Sequence, residues 1–410
     1  MTEKRIPTIL VIFGISGDLS KRFLLPAIEE LTQNNLLPTQ FEIIGITRQE
    51  NLQKQDLLEK SSNQSCLSSN LELHHMNASD KQEYIKLENK LADKIKNFNG
   101  KVQVLFYLSV PPNNSKTIIK FLGEMKLIKS KKITTKLLTE KPFGYDLKNA
   151  KDLITYTQKY FSEKSIYRID HYLAKHITEK IILIKEKSDF KKIFNNKAIS
   201  RIDIVASEEL GIEKRANFYE QTGALRDMIG SHLLELTAFL FTKQNHSGKI
   251  KNLPSLRLAE LKKLHLPVTN TKDYIKRGQY VGYKTEANNL NSKVETFVSV
   301  SLVSSAKKWK GVTIVLSSGK ALKAKSTYIK ITYKDNKKLD LILKEDSSIR
   351  HNSYIQILSS AIYSNKNLFI SKNEVLQAWK IIEPIQKEWQ KIDNNLIIYE
   401  KGTQIESLIF

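Results

Sequence analysis

A carboxylate, an imidazole and an ammonium stand close together in Tyr167-Arg168-Ile169-Asp170-His171-Tyr172-Leu173-Ala174-Lys175. The β-branched and aromatic run from Ser165 to Ile169 reads as a strand ending at Asp170, and a helix-forming run follows from Leu173. The four-residue spacing of His171 and Lys175 predicts that both share one helix face. Such a pair could hold a phosphate near a helix N-terminus, where backbone N–H groups also favour anions. Asp170 would point elsewhere and could orient another group. A solvated charged turn accounts for the same spacing, so the stretch alone leaves both readings open.

Other reactive types sit at informative places. His232 falls within Tyr219–Leu236, whose second half has a helical apolar pattern. A lone histidine there is either a satisfied core group or a base. Asp227 is five residues earlier, off the same stripe of an α-helix, so spacing does not pair them. Lys141 follows the predicted strand Ile133–Thr139 in Glu140-Lys141-Pro142-Phe143-Gly144, where ligands of open α/β sheets bind and where a cis X-Pro bond is plausible.

These groups need strands to place them. Residues 7–13 form a continuous apolar run of strand length, and Gly14-Ile15-Ser16-Gly17-Asp18-Leu19 leads into a helical pattern over Ser20–Thr32. Strand, glycine turn and helix is the context of a dinucleotide fingerprint, with a pyrophosphate against the helix N-terminus. An ordinary βα turn reads the same way. A second strand, Phe41–Ile46, ends at Thr47-Arg48-Gln49. An arginine at that strand end suits the 2′-phosphate of NADP, where an acidic residue would suit NAD. Further strands are predicted at Val102–Ser109 and Ile133–Thr139. Helices are predicted at Ser79–Phe98, Ser115–Lys129 and Leu147–Phe161, and residues 50–79 read as polar with a loop at 61–65. Alternation of this kind implies a parallel doubly wound sheet. It would bring Gly14–Asp18, Arg48, Lys141 and Asp170 to one edge.

Beyond Lys175 the pattern changes. A helix over 176–187, a strand at Ile199–Ala206, then strand-like runs at Thr296–Val303, Val312–Leu316, Tyr328–Tyr333 and Leu339–Leu343 suggest a largely antiparallel or mixed sheet. Helices at Tyr354–Tyr363 and Glu374–Trp389 follow. The expected architecture is an N-terminal Rossmann-like domain, 1–172, and an α+β domain, 173–410, with no separate linker.

The totals narrow the setting. A chain of 410 residues exceeds one ordinary core. Its single cysteine, Cys66, rules out an intramolecular disulfide and a cysteine-rich metal site, and fits a reducing, cytoplasmic setting. No apolar run reaches the roughly eighteen residues of a membrane span, and the N-terminus lacks a signal-peptide layout. The net charge of +23 would attract polyanions or phosphorylated metabolites. The lysines are spread along the chain without a nucleic-acid motif, so neither a nucleic-acid nor a membrane partner is expected.

With these residues on the page, the chain resembles the glucose-6-phosphate dehydrogenases. The matching motifs are GxxGDLxxRxxxPA over Gly14–Ala27, EKPFGxDL over Glu140–Leu147, RIDHYLxK over Arg168–Lys175 and GAxRDMxxxHLL over Gly223–Leu234. RGQYxGY over Arg277–Tyr283, ETF from Glu295, W-x-GVxxxLxxGKAL over Trp309–Leu322 and LF…NEVxxAWxIxxPI over Leu368–Ile385 follow in family order. The resemblance implies oxidation of glucose 6-phosphate at C1 to the 6-phospholactone with hydride transfer to NADP, the first step of the oxidative pentose phosphate pathway. It implies His232 as the base and Asp170 as its orienting carboxylate. His171 and Lys175 match phosphate ligands. Lys141, Glu208, Asp227, Lys320 and Lys325 match the remaining substrate positions. Gly14, Ser16, Gly17, Asp18, Leu19, Arg48, Gln49 and again Lys141 match the coenzyme site. No metal is implied, and a homodimer is expected. Departures include Phe23 where a basic residue is frequent and Glu209 where proline is common. Two other readings predict different behaviour: a paralogue that binds without turning over, and a nucleic-acid binder recruited by charge.

Overall fold

In the computed structural model the described residues are 6–57, 66–98, 100–243, 252–268, 274–343, 350–391 and 396–409. The strands of the N-terminal part are β1 (Thr8–Phe13), β2 (Phe41–Thr47), β3 (Leu71–His75), β4 (Val102–Leu108), β5 (Ile133–Thr139) and β6 (Ile166–Ile169). They pair in the order 6-5-4-1-2-3, all parallel, and β14 (Phe369–Ile370) closes the β6 edge in antiparallel register. Every residue of β1 and β4 is buried, because a parallel sheet is covered on both faces. Successive side chains point to opposite faces. Leu10 and Ile12 therefore join one core, with Ile28 and Leu31 of the helix Leu25–Gln33 and Ile357 and Leu358 of the helix Arg350–Ile362. Ile9, Val11 and Phe13 join the other, with Tyr84, Leu87 and Leu91 of the helix Lys81–Lys96 and Ile118 and Leu122 of the helix Pro112–Glu124. Each aliphatic side chain so buried contributes about 1.5–3 kcal/mol.

The helix Arg350–Ile362 is held to this sheet by a polar contact as well. The Lys136 ammonium on β5 donates to the carbonyls of Ala361 and Ile362 at 2.5 and 3.0 Å and to Gln103 Oε1 at 2.7 Å. Gln103 Nε2 donates in turn to Thr8 Oγ1 at 2.7 Å. A cation at a helix C-terminus meets carbonyls that have no intrahelical donor.

The compact units follow this packing rather than a single cut after Tyr172. One contains Met1–Phe143, Lys151–Ala174 and Ser348–Lys372; the other contains Gly144–Ala150, Lys175–Ser347 and Asn373–Phe410. The returning segment belongs to the first unit because Phe369 and Ile370 pair with β6 and the Arg350–Ile362 helix covers the sheet.

In the second unit β7 (Ile199–Ser207), β8 (Leu264–His265), β9 (Ile275–Tyr280), β10 (Phe297–Ser304), β11 (Thr313–Gly319), β12 (Ser326–Tyr333), β13 (Lys338–Leu343) and β15 (Leu396–Tyr399) build a mixed sheet. Its order is 13-12-7-11-10-9-15, with β8 beside β10. Pairing is mostly antiparallel; β7–β11 and β9–β15 are parallel. A core of this unit gathers Tyr219, Tyr280, Tyr283, Phe297, Leu322 and Tyr399. Buried Arg257 lies 2.8 Å from Glu374 and 3.3 Å from Glu235, joining three helices of this unit.

Several expectations change in detail. Strands β3, β8, β9, β14 and β15 arise where the sequence pattern predicts none. The helix predicted at Ser79–Phe98 starts at Lys81 because the Asp80 carboxylate accepts from Gln82 N at 2.9 Å. The helix predicted from Ser115 starts at Pro112, a residue suited to a first turn. The loop predicted at 61–65 lies outside the described residues.

Candidate active site

The glycine turn of the first unit sits where the strand order reverses, between the ends of β1 and β4. Gly14 has φ +82°, and its amide donates to Ile46 O at 3.1 Å. A Cβ there would stand 2.3 Å from Ser109 O, so no larger residue fits. Gly17 N donates to Gly14 O at 3.0 Å, and Ser20 Oγ donates to Gly14 O at 2.9 Å and to Ser109 Oγ at 3.1 Å. Ser20 is buried, and this pair of bonds ties the turn to the end of β4. Ser16, Gly17 and Leu19 are half-buried beside it, and exposed Asp18 pairs with Arg22 at 3.3 Å. The helix that follows opens with a π-helical turn, Ser20–Leu24. Turn and strand ends form a cradle that a side chain would fill, which fits a dinucleotide pyrophosphate at the switch point.

Arg48 is exposed at the end of β2, on the strand next to β1. Gln49 N donates to Thr47 Oγ1 at 3.1 Å, and His75 Nδ1, on β3, donates to Gln49 O at 2.9 Å. Sequence spacing gives His75 no function; the unanticipated strand β3 brings it here.

Lys141 follows β5, half-buried, and its bond to Pro142 is cis. The preceding Glu140 accepts from the buried Tyr107 hydroxyl. Burial pushes the Glu140 carboxyl up to about 7, and the neighbouring Asp170 charge adds to this; the Tyr107 hydrogen bond and Lys141 oppose it. Asp170, fully buried at the end of β6, accepts from Tyr172 N at 2.9 Å and so shapes the turn that follows. Tyr354 stands close enough to Glu140 and Asp170 for both to push its hydroxyl upward, after burial as the main cause. Arg168 acts structurally. It grips Glu163 at 2.7 and 3.0 Å, and Glu163 also accepts from Lys372 N at 2.9 Å.

One expectation fails at this point. His171 lies in a 3-10 turn, His171–Ala174, whereas Lys175 has φ −81° and ψ 156° and precedes the helix His176–Glu186. The extended backbone at Lys175 breaks the helix, so the two do not share one continuous helix face. The Asp170–Tyr172 bond explains the break, since it closes a turn instead of a helical first turn.

In the second unit the other residues gather near β7 and β11. The Glu208 carboxylate pairs with the Lys320 ammonium, which is buried and lies 5.3 Å from the centre of the Tyr219 ring. Their backbones are held as well: Glu208 N donates to Gly319 O at 2.9 Å, and Leu322 N donates to Glu208 O at 3.0 Å. Burial drives the Tyr219 hydroxyl well above its usual range, followed by the charges of Asp227 and Glu295. Lys325 is half-buried in the turn before β12. Asp227 and His232 lie on a π-helical segment, Leu225–Leu233, with His232 buried. Its i→i+5 hydrogen bonding widens the turn, so residues five apart fall near one face. That corrects the α-helical expectation that placed them on different stripes.

The chain matches two family models: the glucose-6-phosphate dehydrogenase NAD-binding domain over residues 11–179 and the glucose-6-phosphate dehydrogenase C-terminal domain over 185–352 and 335–407. The chain belongs to the glucose-6-phosphate dehydrogenase family. Among curated family members, the glucose-6-phosphate 1-dehydrogenase of Bacillus subtilis is 33% identical over 375 residues, covering 82% of this chain and 72% of the relative. The enzyme of Chlamydia muridarum is 29% identical, covering 94% and 91%. A glucose-6-phosphate dehydrogenase solved in complex with its substrate glucose 6-phosphate shares the fold with TM-score 0.85 at 23% identity, over 98% of this chain and 96% of that one. The Mycobacterium avium family member matches at TM-score 0.80 and 24% identity, over 97% and 95%.

Proposed function

We propose that this chain oxidises C1 of glucose 6-phosphate with NADP as hydride acceptor, yielding the 6-phosphoglucono-1,5-lactone. Family membership carries the reading, together with the survival of each acid–base and phosphate position named from the sequence. The coenzyme's nicotinamide supplies the chemistry of hydride acceptance when bound. His232 takes the C1 hydroxyl proton as C1 gives up its hydrogen with the electron pair, so that the C1–O bond becomes the lactone carbonyl. Asp170 is the carboxylate proposed to favour the charged imidazolium, following the base-and-orienter logic of other acid–base sites. Asp227, Glu208 and Lys320 hold the sugar, with Lys325 beside them, and Lys141 serves both substrate and coenzyme. His171 and Lys175 hold the phosphate, each from its own backbone setting. The Gly14–Leu19 turn and Gln49 hold the coenzyme, and exposed Arg48 supplies the preference for a 2′-phosphate. The unit built on the parallel sheet is proposed to bind NADP, and the unit built on the mixed sheet to bind substrate and to form a cytoplasmic homodimer.

The test is the absorbance of reduced nicotinamide on mixing the chain with glucose 6-phosphate and NADP. The wild-type chain should turn over. His232→Asn should lose about 10²–10⁴-fold in kcat. Arg48→Ala should weaken NADP much more than NAD. No signal with wild type overturns the function, and an unchanged coenzyme ratio in Arg48→Ala overturns the assigned preference.

A further inference from the structure

Gly223 interrupts the helix Ala216–Ala224: its φ of +62° and ψ of 177° lie outside the helical region. The chain resumes as the wide segment Leu225–Leu233 that carries Asp227 and His232. A helix start leaves backbone N–H groups without intrahelical partners, and here one distant residue meets two of them. Ala224 N donates to Glu295 O at 3.0 Å, and Leu225 N donates to Glu295 Oε1 at 2.9 Å. A Cβ on Gly223 would stand 2.4 Å from the same Oε1, so the carboxylate occupies the space that glycine leaves.

The next residue holds the other side of the group. Lys320 N donates to Thr296 O at 2.9 Å. Thr296 Oγ1 hydrogen-bonds the Tyr399 hydroxyl at 2.8 Å, and that hydroxyl donates to Lys320 O at 2.8 Å. Glu295 and Thr296 are both buried. Burial pushes the Glu295 carboxyl above its usual range, opposed by the Leu225 amide and the charges of Arg226 and Arg277, and Tyr219 feels its charge. An anionic side chain at a helix N-terminus also complements the helix dipole.

We infer that Glu295 is a positioning residue for the sugar oxidation. Its carboxylate fixes where the helix of Asp227 and His232 begins, while Thr296 fixes the backbone of Lys320, so one short segment sets both. The inference rests on the function proposed above.

Kinetics of Glu295→Ala in the full-length chain test it. The expected result is a loss of about ten- to a hundredfold in kcat, the scale of a small misplacement, and a raised KM for glucose 6-phosphate with the KM for NADP unchanged. Glu295→Gln keeps an oxygen acceptor at the same reach and should recover most of the loss. Where alanine yields no folded protein, Glu295→Asp withdraws the oxygen by one methylene and should show the same split. A uniform change in both KM values, or unchanged kinetics, overturns the positional claim while an active wild type leaves the functional reading standing. An inactive wild-type chain overturns both.

Discussion

Glu140 is a carboxylate whose titration the fold has moved. Burial at the end of β5 pushes it up to about 7, against about 4.3 for an unfolded chain. Between those values the folded protein binds a proton that the unfolded chain has lost. Stability therefore falls as pH rises through that window, with the loss complete above about 7. Glu140→Gln removes the ionisation and leaves an oxygen for the Tyr107 hydroxyl. Its melting temperature should gain on wild type as pH rises from about 4.5 to about 7.5. A constant difference across that range would count against a raised Glu140. At this scale the sequence displays the reactive residues but not their settings. Asp170 and Lys175 can be named from the signature, whereas the turn that separates His171 from the helix depends on a bond from Tyr172 N to Asp170. The parts played by Ser20 and His75 have no local signal, because each depends on a strand far away in the chain.

Elements whose pattern is local are legible. Strands β1, β2, β4 and β5 stand within about a residue of their predicted bounds, and in β1 and β4 every residue is buried, since two covered faces favour continuous apolar sequence. Strand β9 is not legible: its Arg277 and Gln279 look like surface residues, yet Gln279 is buried and its amide donates to Val294 O at 2.9 Å. Likewise the π-helical segment is started by Glu295, seventy residues after Leu225. Its continuation, Leu234–Phe241, carries Glu235, which with Glu374 meets Arg257 in a fully buried group. Arg257→Ala leaves two buried carboxylates without that cation. It should cost about 3–5 kcal/mol, the scale for removing one member of a buried ion pair, read from denaturant unfolding. A cost under about 1 kcal/mol, the scale of a surface pair, would show that the group is not structurally important.

For the whole molecule, the alternation of strands and helices is enough to predict a doubly wound sheet followed by a mixed one. What it cannot show is that the chain returns: the helix Arg350–Ile362 and the short strand Phe369–Ile370 complete the first unit from the far end of the sequence. That return depends on complementary surfaces, such as Lys136 against the carbonyls of Ala361 and Ile362, and no periodicity announces it. The +23 charge is a property of the same scale. It suits the collection of phosphorylated substrate and coenzyme but names neither, whereas the ordered family motifs do. The central claim is hydride transfer from C1 of glucose 6-phosphate, and isotopic labelling tests it most directly. Glucose 6-phosphate deuterated at C1 should deliver its deuterium to the nicotinamide ring of the reduced coenzyme, detected by mass spectrometry. Reduced coenzyme without deuterium, or deuterium released to water, would contradict it.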